Sequence, residues 1–128
     1  MAYVRFQDLE VYQLAEQLSD AVWDIVVKWN HFAQDTVGKQ LARSADSSGA
    51  NIAEGAGLQT YKQNKRHVRI ARGSLLETQH WLRRAYTRKL LTPDETKALQ
   101  PTVDKLAPKL NAYLNSIGRT KRKPPGSE

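Results

Sequence analysis

The chain has 128 residues, 40% of them hydrophobic, with a formal net charge of +7 and no cysteine. One domain of this size can bury a core without covalent staples, and the lack of cysteine excludes disulfide bonds and thiolate metal sites. No apolar run approaches the roughly 20 residues that cross a bilayer, and residues 1–8 lack the apolar core of a signal peptide. We therefore expect a cytoplasmic protein without membrane contact.

Apolar residues recur at steps of three and four in four segments, a spacing that predicts amphipathic helices. The first segment spans about 8–28, and Phe6 precedes it at a position from which it can pack on the first turn. The second segment spans about 35–54 and is rich in Ala, Ser and Gly, which predicts a thin helix that neighbours approach closely. Gly55 is expected to end this helix in the left-handed conformation.

The third predicted helix is the longest, over about 60–89, and its first residue is a threonine cap. A fourth helix starts where Thr92 is followed by a proline and then by Glu95, the pattern of a capping box. Pro101 and Pro108 fall inside this helix, where a proline costs about 3 kcal/mol. We therefore expect a kinked fourth helix with a restart near Pro101.

Four amphipathic segments with short connections, and no competing strand pattern, predict an all-α fold. The expected architecture is an antiparallel up-down-up-down four-helix bundle over residues 1–117. Residues 118–128, which hold four basic residues and two prolines, are expected to form a flexible basic tail.

The positive charge is concentrated in the third segment. Residues 60–90 hold nine basic side chains and one acid, a net charge of +8, whereas the other residues sum to −1. Eight of the nine fall within a sector of roughly 160°, opposite the apolar face. Such a stripe can neutralise phosphates, whereas an ordinary solvated helix face mixes both signs. The eight expected phosphate contacts are Lys62, Lys65, Arg66, Arg69, Arg72, Arg83, Arg84 and Arg88.

Three apolar residues interrupt this charged side of the third segment. Ile70, Leu76 and Trp81 lie beside or within the charged sector. A single exposed apolar side chain needs no explanation, but three on one helix indicate a subunit interface.

No catalytic arrangement is visible in the sequence. The three histidines show no metal-ligand spacing, and no Ser–His–acid arrangement can be predicted from spacing. His67 falls on the apolar face and is expected to be a core residue with satisfied hydrogen bonds. The Gly55–Gly57 turn lacks the following Lys of a phosphate loop and is interpreted as a helix stop. We expect no enzymatic activity, no cofactor and no metal.

Three stretches resemble a known family: Phe-Gln-Asp-Leu-Glu-Val-Tyr at 6–12, the segment 40–55 that ends in Asn-Ile-Ala-Glu-Gly, and Ala-Arg-Gly-Ser-Leu-Leu-Glu-Thr at 71–78. The chain resembles the four-helix-bundle proteins encoded in intervening sequences of bacterial 23S ribosomal RNA genes. The resemblance covers roughly residues 5–117. It departs from the family pattern at the two prolines of the fourth helix.

The resemblance implies an up-down four-helix protomer and a ring-shaped homopentamer. It also brings in a distant relative, the accessory protein of diversity-generating retroelements, a basic pentameric bundle that engages a reverse transcriptase and nucleic acid. Within the signature, Asn51, Glu54, Ser74 and Glu77 are polar. Because buried polar groups need partners, we expect these four, together with Arg72, to form a polar network between helices or across a subunit interface.

The leading hypothesis is a non-enzymatic homo-oligomer that binds nucleic acid, with RNA favoured and DNA left open, mainly through phosphates. The first alternative is a protein adaptor that docks an acidic partner such as a reverse transcriptase. The second is a structural bundle whose charge is incidental.

Overall fold

A computed structural model describes residues 5–58 and 60–119 of the chain. The regular structure of this part is helical and contains no strand. The four long helices are α1 (Glu10–Val26), α2 (Lys39–Ala56), α3 (Tyr61–Thr87) and α4 (Pro93–Ser116). The prediction of an all-α fold with four helices is confirmed for these residues. Most of the expected basic tail, residues 120–128, lies outside the described part.

A short 3-10 turn, Phe6–Asp8, precedes α1. The rings of Phe6 and Tyr12 meet edge to face, with their centroids 4.8 Å apart. This is a favourable geometry for two aromatic rings. The predicted packing of Phe6 on the first turn of the helix is therefore confirmed.

Helical structure before α2 begins at His31, ahead of the predicted start near residue 35, but the regular α-helix begins only at Lys39. Asn30 caps a single α-helical turn, His31–Ala33, because its Oδ1 accepts a hydrogen bond from the Ala33 N–H at 3.0 Å. The residues Gln34–Gly38 are π-helical and join this turn to α2 without a break.

Gly55 does not end α2 in the left-handed conformation, so that prediction is wrong. The helix continues to Ala56, and Gly57 follows with a φ of −88°, which is right-handed. Gly55 is buried, and a Cβ at this position would lie 2.6 Å from Asn64 Oδ1 and 3.0 Å from the Cβ of His67. The glycine is required because α2 and α3 approach closely here.

The N-termini of α3 and α4 are capped as the sequence predicts. Thr60 Oγ1 accepts a hydrogen bond from the Gln63 N–H at 3.1 Å. At α4, Thr92 Oγ1 accepts from the Glu95 N–H at 3.1 Å, and Glu95 Oε1 accepts from the Thr92 N–H at 2.9 Å. These bonds satisfy donors that a helix leaves unpaired at its start.

The C-terminus of α3 closes with a left-handed residue that is not glycine. Lys89 has a φ of +62°. The Leu90 N–H donates to the Ala85 carbonyl at 2.9 Å, and the Lys89 N–H donates to the Tyr86 carbonyl at 3.1 Å. This is the bonding pattern of a Schellman motif, in which glycine is usual at the position of Lys89.

α4 runs through both internal prolines without interruption, so the predicted restart near Pro101 is wrong. Pro101 and Pro108 are exposed, and the carbonyls that lose an intrahelical donor there can bond to water. The opposite side of α4 is buried at Leu99, Leu106 and Leu114. Burial of this side holds the helix together across the prolines.

The core lies between the four helices and removes apolar side chains from water. No helix in the described ranges has the length and apolarity needed to cross a membrane. The small residues of α2 are part of the core, as predicted, since Ser44, Ala45, Ser48 and Gly49 are buried. The largest apolar side chains that are fully buried are Leu18, Leu41, Ile52, Leu75, Leu106 and Leu110.

Side chains of neighbouring helices contact each other at several points in the bundle. The pairs are Tyr12–Gly49 between α1 and α2, Val26–Gly38 between α1 and the π-helical segment that precedes α2, Asn51–His67 and Ser44–Thr78 between α2 and α3, Arg72–Asn111 between α3 and α4, and Glu10–Lys109 between α1 and α4. Since α2 and α4 cover two sides of α3, one side of α3 remains turned away from the core.

Candidate nucleic-acid interface

The outward side of α3 carries the eight basic residues that were predicted to contact phosphate. Five of them are exposed, and the other three are partly buried. All eight therefore present at least part of the side chain to solvent. The exposed residues are Lys62, Arg66, Arg69, Arg83 and Arg88, and the partly buried ones are Lys65, Arg72 and Arg84.

None of these eight side chains pairs with a carboxylate within residues 5–58 and 60–119. The close contacts between a basic side chain and a carboxylate in those ranges involve Arg5, Lys39, Arg43, His67 and Lys109 instead. Arg72 Nη1 donates to Asn111 Oδ1 on α4 at 3.0 Å, a neutral partner that leaves the positive charge in place. The charge of α3 is therefore not compensated inside the described part of the protomer.

The basic residues of α3 form two groups rather than one even stripe. From Arg72 to Arg83 the helix rises about 16 Å at 1.5 Å per residue. Between them the exposed positions are Gly73, Leu76 and His80, so this stretch of surface is not cationic. The N-terminal basic group comprises Lys62, Lys65, Arg66, Arg69 and Arg72, and the C-terminal basic group comprises Arg83, Arg84 and Arg88.

Apolar side chains lie beside and between the two basic groups. Ile70 is 44% exposed and Leu76 is 64% exposed. Gly73 lies between them in the sequence, and a Cβ added there would meet nothing within 4 Å. Trp81 is partly buried against the core, and its Nε1 donates to Glu77 at 3.1 Å. Ile70 and Leu76 leave a large apolar surface exposed here.

Three of the four signature polar residues make their contacts where α2 meets α3. Asn51 Oδ1 lies 3.0 Å from His67 Nδ1, and Glu54 Oε1 lies 3.8 Å from the same nitrogen. Ser74 Oγ lies 2.9 Å from Ser47 Oγ. The hydrogen bonds of this cluster are therefore made inside one protomer.

Glu77, the fourth signature residue and the single acid of segment 60–90, is held by α2. Its carboxylate accepts a hydrogen bond from the Arg43 guanidinium as well as from Trp81. Arg43 was not predicted as a partner of Glu77, although it lies inside the signature segment 40–55. Because the Glu77 carboxylate pairs with Arg43 of α2, it is engaged there rather than in an ion pair with either basic group of α3.

A groove of about 420 Å³ lies between the end of α3 and the first half of α4. Tyr86, which the periodicity places on the apolar face, lines this groove and is 50% exposed. Arg83 of the C-terminal basic group lines it as well. The groove was not predicted, because its walls come from two helices whose separation the sequence does not specify. Its apolar floor is formed by Leu82, Leu91, Leu99 and Val103.

The sequence that contains the signature stretches has a counterpart in a known family. A model of the 23S rRNA-intervening sequence protein family matches residues 7–112. The chain belongs to this family. The resemblance seen in the sequence is thereby confirmed, and the matched range includes both basic groups and the groove. A comparison with curated proteins gave no match.

In this 23S rRNA-intervening sequence protein, the signature coincides with the contact between α2 and α3. Asn51 and Glu54 belong to the first signature segment and Ser74 and Glu77 to the second. Asn51, Ser74 and Glu77 are hydrogen-bonded across or along these helices, and exposed Glu54 lies 3.8 Å from His67. Buried and half-buried polar pairs of this kind fix one packing of two helices. The signature therefore accounts for the packing of α2 against α3. It does not account for the two basic groups of α3.

Proposed function

We propose that this 23S rRNA-intervening sequence protein is a non-enzymatic RNA-binding protein that contacts phosphates with the two basic groups of α3. The observation that supports the proposal is the set of eight cations on the outward side of one helix, none of them paired with a carboxylate within residues 5–58 and 60–119. Ordinary solvated helices pair charges of opposite sign at such spacings. We also propose that the protein acts in the cytoplasm, where it would meet RNA.

Phosphate contacts predict a strong dependence of affinity on salt. Neutralising a phosphate releases condensed counterions, so six to ten contacts lose about 10³–10⁵ in affinity between 50 and 200 mM salt. Such contacts carry little sequence information. We therefore expect binding to RNA fragments of unrelated sequence with similar affinity, and DNA of the same length to compete.

Charge reversal on α3 tests this proposal against a matched control on α4. The variant Arg66→Glu/Arg69→Glu and the control Lys97→Glu/Lys105→Glu change the net charge equally, and all four side chains are exposed. By fluorescence anisotropy with a 20-nucleotide RNA, we expect the α3 variant to lose affinity and to reduce the salt slope by about 2. Equal losses in both variants, or an affinity that does not respond to salt, would mean that the charge of α3 is incidental.

The proposal includes an antiparallel bundle that assembles into a homopentamer. Two contacts support the antiparallel order of α2 and α3, because Asn51 meets His67 whereas the earlier residue Ser44 meets the later residue Thr78. The contact of Glu10 with Lys109 joins the start of α1 to the second half of α4. Exposed Ile70 and Leu76 support assembly, because apolar side chains in this position are expected at an interface. We expect light scattering to give five times the protomer mass, Leu76→Asp to reduce it, and Val27→Asp, at the exposed residue that follows α1, to leave it unchanged. A monomeric mass for the unmodified protein would exclude the assembly.

The same surface also suits a second function, in which an acidic protein such as a reverse transcriptase docks on α3. The exposed apolar residues beside the basic groups favour this alternative, because an apolar centre with a charged rim is typical of protein interfaces. A pull-down that survives nuclease treatment and is lost in Leu76→Asp would support the adaptor. A pull-down abolished by nuclease would support direct RNA binding.

A further inference from the structure

The groove between α3 and α4 has the size and the lining of a small-molecule site, which phosphate binding does not require. Its volume of about 420 Å³ lies within the range of about 300–1,000 Å³ that is typical of small-molecule sites. Leu99 and Val103 form part of an apolar floor, on which polar groups of both helices border. An apolar floor with a polar rim suits a flat ring that carries hydrogen-bonding groups at its edge.

Three polar side chains at the rim make no hydrogen bond that the described residues provide. They are the amide of Gln79, the guanidinium of Arg83 and the hydroxyl of Tyr86, all of which line the groove. Gln100 lines it from α4, and its amide N–H donates to Asp104 Oδ1 at 2.8 Å, which leaves its carbonyl oxygen as an acceptor. The rim therefore offers both donors and acceptors to a bound molecule.

Arg83 connects the groove to the C-terminal basic group. It lines the groove and is followed by Arg84, and Arg88 lies on the next turn. A phosphate bound by Arg83 would place the attached nucleotide beside the groove that Tyr86 also lines. Aromatic rings next to cationic side chains are the usual means by which proteins bind unpaired bases.

We propose that this groove binds one unpaired nucleobase of an RNA strand whose phosphate is bound by Arg83. The base would stack on Tyr86 over the apolar floor, and the amides of Gln79 and Gln100 would face its polar edge. This inference rests on the proposed RNA-binding function and adds that unpaired RNA is preferred over duplex RNA, since a paired base cannot enter the groove.

A pair of tyrosine variants on α3 tests the inference. Tyr86→Leu keeps an apolar side chain in the groove, and Tyr61→Leu is the control, because Tyr61 is 43% exposed but lies at the other end of α3. Affinities are measured by anisotropy for a 12-nucleotide single-stranded RNA and for the duplex of the same sequence. We expect Tyr86→Leu to weaken single-strand binding about 10-fold, within the range for loss of one stack, and to leave duplex binding unchanged. No loss, or the same loss for both RNAs, would overturn the inference.

A second measurement separates failure of the groove from failure of the basic groups. Uridine 5′-monophosphate is titrated into the isotopically labelled protein, and amide shifts are followed by NMR. We expect the amide resonances around Leu91 and Leu99 to shift in the wild type and not in Tyr86→Leu. This expectation does not depend on how tightly longer RNAs bind. RNA binding by the protein without these shifts would leave the proposed function intact and overturn the base site. A lower mass for Tyr86→Leu in light scattering would also overturn it, because a second copy would then occupy the groove.

Discussion

Alanine at Gly55 is expected to destabilise the protein, although alanine is the best helix former. The added Cβ would lie 2.6 Å from Asn64 Oδ1, 3.0 Å from the Cβ of His67 and 3.2 Å from the Asn64 carbonyl oxygen. The amide of Asn64 can rotate, but the other two atoms move only if α3 moves. Overpacking costs about 1–3 kcal/mol and the gain in helix propensity is about 1 kcal/mol, so the middle of this range is a net loss of about 1 kcal/mol, which we expect.

The matched control is the same substitution at Gly73. This glycine lies in the interior of α3, is exposed, and has nothing within 4 Å of an added Cβ. Gly73→Ala is therefore expected to stabilise the protomer by about 1 kcal/mol. The two substitutions are chemically identical, so the opposite signs isolate the effect of the contact between α2 and α3.

Urea unfolding followed by circular dichroism at 222 nm measures both changes. For a chain of this length, 1 kcal/mol corresponds to about 3–5 °C in thermal midpoint, which gives a second readout. Each variant is measured at two protein concentrations so that an effect on assembly is recognised. Wild-type or higher stability of Gly55→Ala at both concentrations would refute the claim that α2 and α3 are in close contact at this glycine.

Further expectations concern a left-handed lysine, a helix cap and a tyrosine. Lys89→Gly should raise the free energy of unfolding by about 0.5–1 kcal/mol, because glycine adopts a φ of +62° without steric cost; unchanged urea midpoints would contradict this. Thr92→Ala should lower stability by about 1 kcal/mol in the same assay, since it removes the bond to the Glu95 N–H. Burial and the neighbouring Glu16 carboxylate raise the pKa of Tyr12. The neutral phenol is thus favoured in the folded state. Its contribution to the stability of the protein is present below pH 10 and is lost as the pH rises through the folded-state pKa of Tyr12. Comparison of wild type with Tyr12→Phe by urea unfolding at pH 9 and 11 should show the larger loss in wild type.

The family signature and the basic groups depend on different physics, although both lie largely on α2 and α3. Asn51, Ser74 and Glu77 are engaged in hydrogen bonds inside the protomer, so their identities are constrained by packing. Arg66 and Arg69 are exposed, so their identities are constrained only by what binds outside. Mutations in the first set should change stability, whereas mutations in the second should change affinity.

Much of the fold was accessible from local sequence patterns. The four helices follow from apolar spacing, and the caps at Thr60 and Thr92 follow from residues no more than three positions apart. The concentration of charge on α3 is likewise a property of one segment. Helix periodicity and capping act over a few residues, which explains why these predictions succeed.

The remaining features depend on residues that meet only after folding. The role of Gly55 is decided by Asn64 and His67, and the partner of Glu77 is Arg43, 34 positions away. α4 continues through its prolines because its other side is buried, a gain that exceeds the local cost. The sequence by itself determined the helices, their caps and the charge they carry, since these are local. Tertiary structure decided the close contact of α2 with α3, the division of exposed from partly buried cations, and the groove, because each depends on the distance between two helices.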